Sequence, residues 1–161
     1  MNNKHVLIMK HMSFLLLLIF LSCQYNQAPH RQSEAISYRT IRGYFFRTDR
    51  QVPKARFCTI GNAETFDSLF GAAAVMGPGG LPDSIDFSRE FIIALIEAES
   101  RFETQFIIDS LTSKGATLTA AWSVLQGDSL TFSILPVQLL AVDRRYNDLP
   151  LVTRRRVVGP H

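Results

Sequence analysis

Residues 86–99 read DFSREFIIALIEAE, and the six from Phe91 to Ile96 are apolar without a break. A strand with one face in water alternates apolar and polar side chains. A short run that is apolar on both faces belongs in the middle of a sheet. Phe91–Ile96 therefore reads as a central strand. It ends where Glu97 and Glu99 bring charge back.

The neighbouring segments read as partners for that strand. C-terminal to it, TQFIIDSL (104–111) and ATLTAAWSVL (116–125) are joined by a turn near Lys114-Gly115. Leu118, Ala120, Trp122 and Val124 alternate with Thr117, Thr119, Ala121 and Ser123, the period of a half-buried strand. Gly127-Asp128 has the composition of a two-residue hairpin turn. LTFSIL and VQLLAVD follow, separated by Pro136, and LVTRRRVV (151–158) reads as a last strand. N-terminal to the central strand, ISYRTIRGYFFRT (36–48) reads as one strand with a bulge at Gly43, and KARFCTI (54–60) as a second. Between them and the centre, GNAETFDSLFG (61–71) has the marks of a short helix. Asn62 can cap it, Glu64 suits its N-terminal dipole, and Gly71 can stop it. Phe66, Leu69, Phe70 and Ala73 recur at helical spacing and predict a face against the sheet. Successive strands with short turns imply a mainly antiparallel β (α+β) fold. The sheet is expected to be curled or barrel-like, of about six to eight strands, with one short helix packed on it.

The chain has 161 residues, enough for one domain with a sizeable core. The formal charge of +3 is inflated by the first 22 residues, which hold Lys4 and Lys10 and no acid; from residue 23 on, 15 basic and 14 acidic groups leave +1. A nucleic-acid partner is not indicated by that balance. The distribution says more. Residues 23–56 carry +5, residues 57–143 carry −8 and residues 144–161 carry +4. Basic ends flank an acidic middle: either the ends pack on the middle, or a basic stem faces anionic headgroups or a partner protein.

The first residues read as an export signal. Lys4, Lys10 and His11 precede an unbroken apolar run from Phe14 to Leu21. Eight helical residues reach ~12 Å against a bilayer core of ~30 Å, too short for a permanent span. Met9 or Met12 would already start a compact leader. Phe20-Leu21-Ser22-Cys23 resembles the lipobox of bacterial lipoproteins. That resemblance implies removal of residues 1–22 and lipidation of Cys23, with several acyl chains for stable anchoring. The polar stretch 23–35 then reads as a flexible tether and 36–158 as one globular β-rich domain. Residues 24–33 hold no acid, which favours the periplasmic side of the cell envelope over the cell surface. A lipidated Cys23 leaves Cys58 as a lone thiol in a strand-like segment, read as a small buried apolar residue.

Catalytic constellations are sparse. Histidine occurs only at 5, 11, 30 and 161, so the domain 36–158 has none. Ser-His-Asp and Cys-His catalysis and histidine-based zinc sites are excluded within it. No cofactor is expected. Glu97 and Glu99, two apart at a strand end, could form with Glu103 an acidic site of the kind a carboxylate-dependent hydrolase needs; Arg101 could pair with them instead. Arg154-Arg155-Arg156 is the densest charge run. In a strand, Arg154 and Arg156 point one way and Arg155 the other, either as a protected edge or as a docking patch for an anionic partner. Asp-Ser-aliphatic recurs four times, at Asp67-Ser68-Leu69, Asp83-Ser84-Ile85, Asp109-Ser110-Leu111 and Asp128-Ser129-Leu130. The triplet resembles an O-glycosylation acceptor of exported bacterial proteins, with Ser129 among the accessible positions.

From about Phe57 to Arg145 the chain resembles the C-terminal domain of the protease-complex PrcB-like family and related small lipoproteins. ETFDSLFG, SIDFSREFIIALIEAE, an antiparallel strand pair and SILPVQLLAVDR carry the likeness. The resemblance implies a non-enzymatic domain that accompanies or stabilises an exported protease. The expected function is a membrane-anchored envelope binding or scaffold module. Its partners would be the lipid bilayer, through acylated Cys23, and another envelope protein. The alternatives are a carboxylate-dependent hydrolase, or a carrier holding an apolar ligand inside a curled sheet.

Overall fold

The computed structural model describes residues 33–47, 57–73 and 80–158. The chain divides into two units, 1–32 and 33–161, and the described residues all belong to the second. The leader, the lipobox, Cys23 and most of the tether lie outside the described residues.

Ten strands, one α-helix and a 3₁₀ turn make up the described fold. They run β1 (Glu34–Ala35), β2 (Tyr38–Ile41), β3 (Tyr44–Phe46), β4 (Phe57–Ile60), α1 (Ala63–Leu69), β5 (Phe70–Ala72), β6 (Glu90–Ile96), β7 (Ser100–Lys114), β8 (Thr117–Ile134), β9 (Val137–Asp143), the turn Arg144–Tyr146, and β10 (Leu151–Val158). The antiparallel β architecture with one short helix is the one the patterning predicts. The strands sort into three hydrogen-bonded sheets rather than one, in the orders β1-β7-β8-β10, β2-β9-β6-β4 and β3-β5.

Strand β6 organises the core. Phe91, Ile93 and Leu95 face one way and pack with Leu118, Trp122, Val124, Leu140 and Val142. Ile92, Ala94 and Ile96 face the other way and pack with Phe46, Phe66, Phe70, Leu139 and Ala141. Every residue from Phe91 to Ile96 is at most 2% exposed, so the run is apolar throughout because both its faces are covered. Sheet β2-β9-β6-β4 is thus a middle layer. The longer sheet lies on one side, and α1 with the β3-β5 ribbon lies on the other. Each fully buried Leu, Ile or Phe of these layers contributes about 1.5–3 kcal/mol.

The helix begins as its sequence predicts. The Asn62 side chain accepts from the Thr65 amide at 2.8 Å, and Phe66 alone of the helical residues is buried. It ends differently. Gly71 does not stop it; the backbone turns extended at Phe70, and β5 begins there. Phe70 then reaches the core from a strand, stacked on Phe66 at 5.1 Å and edge-on to Phe46 at 5.5 Å. Ala73, predicted to share the buried helical face, is exposed for the same reason.

Three further expectations are corrected. The segment 36–48 is not one bulged strand. Gly43 takes φ +81°, and the chain leaves the middle sheet there to start the β3-β5 ribbon. Gly127-Asp128 is not a turn. β8 runs through it, and β7 stays paired by irregular steps, Phe102 with Ser129 and Thr104 with Gln126. The last strand is not antiparallel: β10 lies parallel to β8, from Leu151 beside Leu118 to Val158 beside Leu125. The turn at Gly115 is as predicted, with φ +64° at the first of two central residues, the pattern that suits a tight hairpin.

One irregularity in β7 changes which of its side chains face the core. Ile108 pairs with Trp122 and Ser110 with Ala121, so Asp109 is an extra residue in the ladder. Such a bulge shifts the inward-facing set by one. Phe106 and Ile108 face the core before it, and Leu111 after it.

Candidate functional site

The acids and arginines singled out by the sequence meet at one end of the inter-sheet layer. Glu97 directly follows β6 and continues the column of Phe91, Ile93 and Leu95, but as a carboxylate only 6% exposed. Arg155, on the inward face of β10, reaches it with a two-pronged contact: Nε to Oε1 and Nη2 to Oε2, both 2.7 Å. Paired hydrogen bonds of this kind are the strong form of the interaction, and Glu97 holds the Arg155 guanidinium charged more firmly than an ordinary arginine. The contact joins the middle sheet to the edge strand of the outer sheet. Arg101, the partner that proximity in sequence suggests, does not supply it.

A cleft of about 300 Å³ opens beside this pair, lined by Glu97, Glu99, Ser100, Arg101, Gln126 and Arg155 among others. Glu99 and Arg101 are exposed on the loop and strand that leave the core here. Glu103 does not join them. It lines a different cleft of about 380 Å³, where it lies against Gly127. The three predicted acids are therefore split between two surfaces, and the most buried one is bound to an arginine.

The three arginines also separate. Arg155 points inward. Arg156 points outward, with Nε 3.3 Å from the Ser123 hydroxyl and Nη2 3.8 Å from the Asp109 carboxylate, which itself accepts from Ser123 at 2.8 Å. The bulge at Asp109 is what aims that carboxylate across to Ser123. Arg154 is exposed, and among the described residues it forms no ion pair. Arg154 and Arg156 thus share the outer face of this edge strand, and Arg156 stays 72% exposed beside Asp109. Around them the outer face of the sheet is mixed. Val152 of β10 is 48% exposed and Ile107 of β7 is 42% exposed, both turned away from the inter-sheet core.

A larger polar cleft, about 570 Å³, was not legible in the sequence. Tyr38, Arg39, Ser84, Asp86, Arg89 and Glu90 line it with others. Arg39 closes one wall, 2.9 Å from Glu90 and donating to the Ser84 carbonyl at 3.1 Å. The Ser88 hydroxyl and amide donate to Asp86 at 2.6 and 3.0 Å and hold its carboxyl below the usual carboxylate range. These groups come from positions 39, 84–90 and 141–143, brought together only by the β2-β9-β6 pairing, and no local motif announces them.

Cys58 lies on β4, part-buried against the second core cluster, and burial pushes its thiol up from its ordinary value. That is the environment of an inert packing residue, since a reactive thiol needs a depressed value. Among the described residues, no group of three or more acids, histidines and cysteines could hold a metal ion, and no helix is long and apolar enough to cross a membrane. Comparisons with protein-family models, with curated proteins and with solved structures find no match to this chain.

Proposed function

We propose that the protein is a lipid-anchored binding module of the bacterial envelope, held by acylated Cys23 and acting by surface contact with another envelope protein. The likeness to PrcB-like domains suggests an exported protease as the class of partner. The observation that carries the reading is the outer face of the β1-β7-β8-β10 sheet. It presents Ile107, Val152 and Arg154, which forms no ion pair among the described residues. Arginine is enriched in contact surfaces, and exposed apolar groups flank it here, Ile107 level with Ser123 and Val152 level with Thr119. β7 adds to it a long edge. Within the described residues only β1 pairs with that edge, at Thr112 and Ser113.

The alternatives receive less support. A hydrolase needs two carboxyls free to exchange protons at one site. Here Glu97 is bound to Arg155 and Glu103 lies in another cleft. A carrier needs an apolar hollow, whereas the space between the sheets is filled by Trp122, Phe91, Leu118 and Leu140.

Two variants test the proposal in cells that make the protein natively. Cys23→Ser should move it from the membrane to the soluble fraction. Ile107→Ser with Val152→Ser should weaken capture of its cross-linked partner roughly tenfold or more, with the unfolding temperature held. Membrane retention of the first variant would defeat the anchor. Undiminished capture by the second would defeat the docking face.

A further inference from the structure

Four of the eight aspartates in the sequence open the triplet Asp-Ser-aliphatic, and the proposed docking role uses none of these triplets. The structure sorts them. In all four the serine is exposed and the aliphatic residue after it is buried or half-buried. They differ in how far the polar groups are already engaged. Ser68 sits on α1 and donates to the Thr65 carbonyl at 2.7 Å. Asp83 accepts from the Arg42 amide at 2.9 Å. Asp109 is held by Ser123 and Arg156. At the fourth, Asp128 and Ser129 are both exposed on the extended backbone of β8, beyond the end of β10. Among the described residues neither of these two side chains makes a hydrogen bond or an ion pair.

An enzyme that modifies a folded protein at such a triplet needs three things. The backbone must be extended, the hydroxyl must be reachable, and the carboxylate must be free for the enzyme's own donors. Of the four triplets, residues 128–130 satisfy all three. We propose that Ser129 is an acceptor for O-linked glycosylation, recognised through Asp128 and Leu130. The donor is an activated sugar of the lipid- or nucleotide-pyrophosphate class. Ser129 Oγ attacks its anomeric carbon. The Oγ–carbon bond forms, the carbon–oxygen bond to phosphate breaks, and the pyrophosphate leaves with the electron pair. The hydroxyl proton passes to a base of the transferase. A neutral sugar suits the place better than a phosphoryl group, which would set a second negative charge beside Asp128. Across the ladder, Ser129 pairs with Phe102, a residue 45% exposed. Cross-strand partners share a face, so the apolar face of the first sugar can cover the Phe102 ring.

The proposal rests on the exported placement read from residues 1–23, and one measurement keeps the two apart. Full-length protein is purified from native membranes and mapped by peptide mass. The expected result is a sugar mass on the peptide spanning residues 126–134, absent in Ser129→Ala and in Asp128→Ala. It is retained in Ser133→Ala, which removes an exposed serine of the same strand that no aspartate precedes. A bare Ser129 in protein whose Cys23 carries lipid overturns glycosylation and leaves the anchor standing. Absence of both masses overturns both. Sugar that persists in Asp128→Ala overturns the recognition.

Discussion

Arg155 shows how much depends on one side chain. Glu97 is placed by β6 in a column of core residues, and its charge is tolerated there because a guanidinium meets both of its oxygens. Arg155→Ala is expected to cost about 2–3 kcal/mol in denaturant unfolding. That is somewhat less than for a fully buried pair, because the Arg155 side chain is 27% exposed. Replacing both residues, Glu97→Leu with Arg155→Met, should recover most of the loss, since two apolar groups need no partner. A double variant as unstable as the single one would refute this account. The sequence showed that the arginines alternate faces, and the alternation holds. It did not show the pairing, because Glu97 and Arg155 stand 58 residues apart and only the parallel addition of β10 brings them together.

Among the elements, the corner at Gly43 decides which sheet the chain enters. Its φ of +81° suits glycine, and a Cβ there would stand 2.6 Å from the Pro82 Cα. Gly43→Ala is therefore expected to cost about 2–4 kcal/mol, read as a lowered denaturant midpoint with an unchanged slope. A loss below ~1 kcal/mol would show that the corner can shift at little cost. Glycine marked the right residue in the sequence, but its role there is a corner between sheets rather than a bulge. At Gly127-Asp128 the composition of a turn proved compatible with a continuing strand, because β7 opposite it stays paired through two irregular steps. Central strands were legible from their two apolar faces. The bulge at Asp109 was not, because the signal is a switch of inward residues from Ile108 to Leu111, and a run such as FIID offers no period to break.

Across the whole described unit, the charge blocks fulfil the simplest expectation. Arg39 pairs with Glu90, Arg42 with Asp83, Arg155 with Glu97 and Arg156 with Asp109, each joining a basic end to the acidic middle. The exposed pairs contribute little individually; a further one, Arg145 with Glu34 at 4.0 Å, ties the two basic ends to each other instead. β10 carries two of the four contacts and covers the β8 edge beside Trp122. A chain ending at Pro150 is expected to lose cooperative unfolding, and the emission of Trp122, the single tryptophan, should shift to the red as water reaches it. A truncated chain with unchanged emission and a sharp transition would show that the two sheets hold without their last strand.

The same strand sets an order of events during synthesis. A chain that emerges N-terminus first can pair β6 with β9, and β7 with β8, while Arg155 has yet to arrive. Until then the two-pronged contact that ties the middle sheet to the outer one is missing. In a chain that folds as it emerges, this tie between the two sheets therefore forms after the pairings within them.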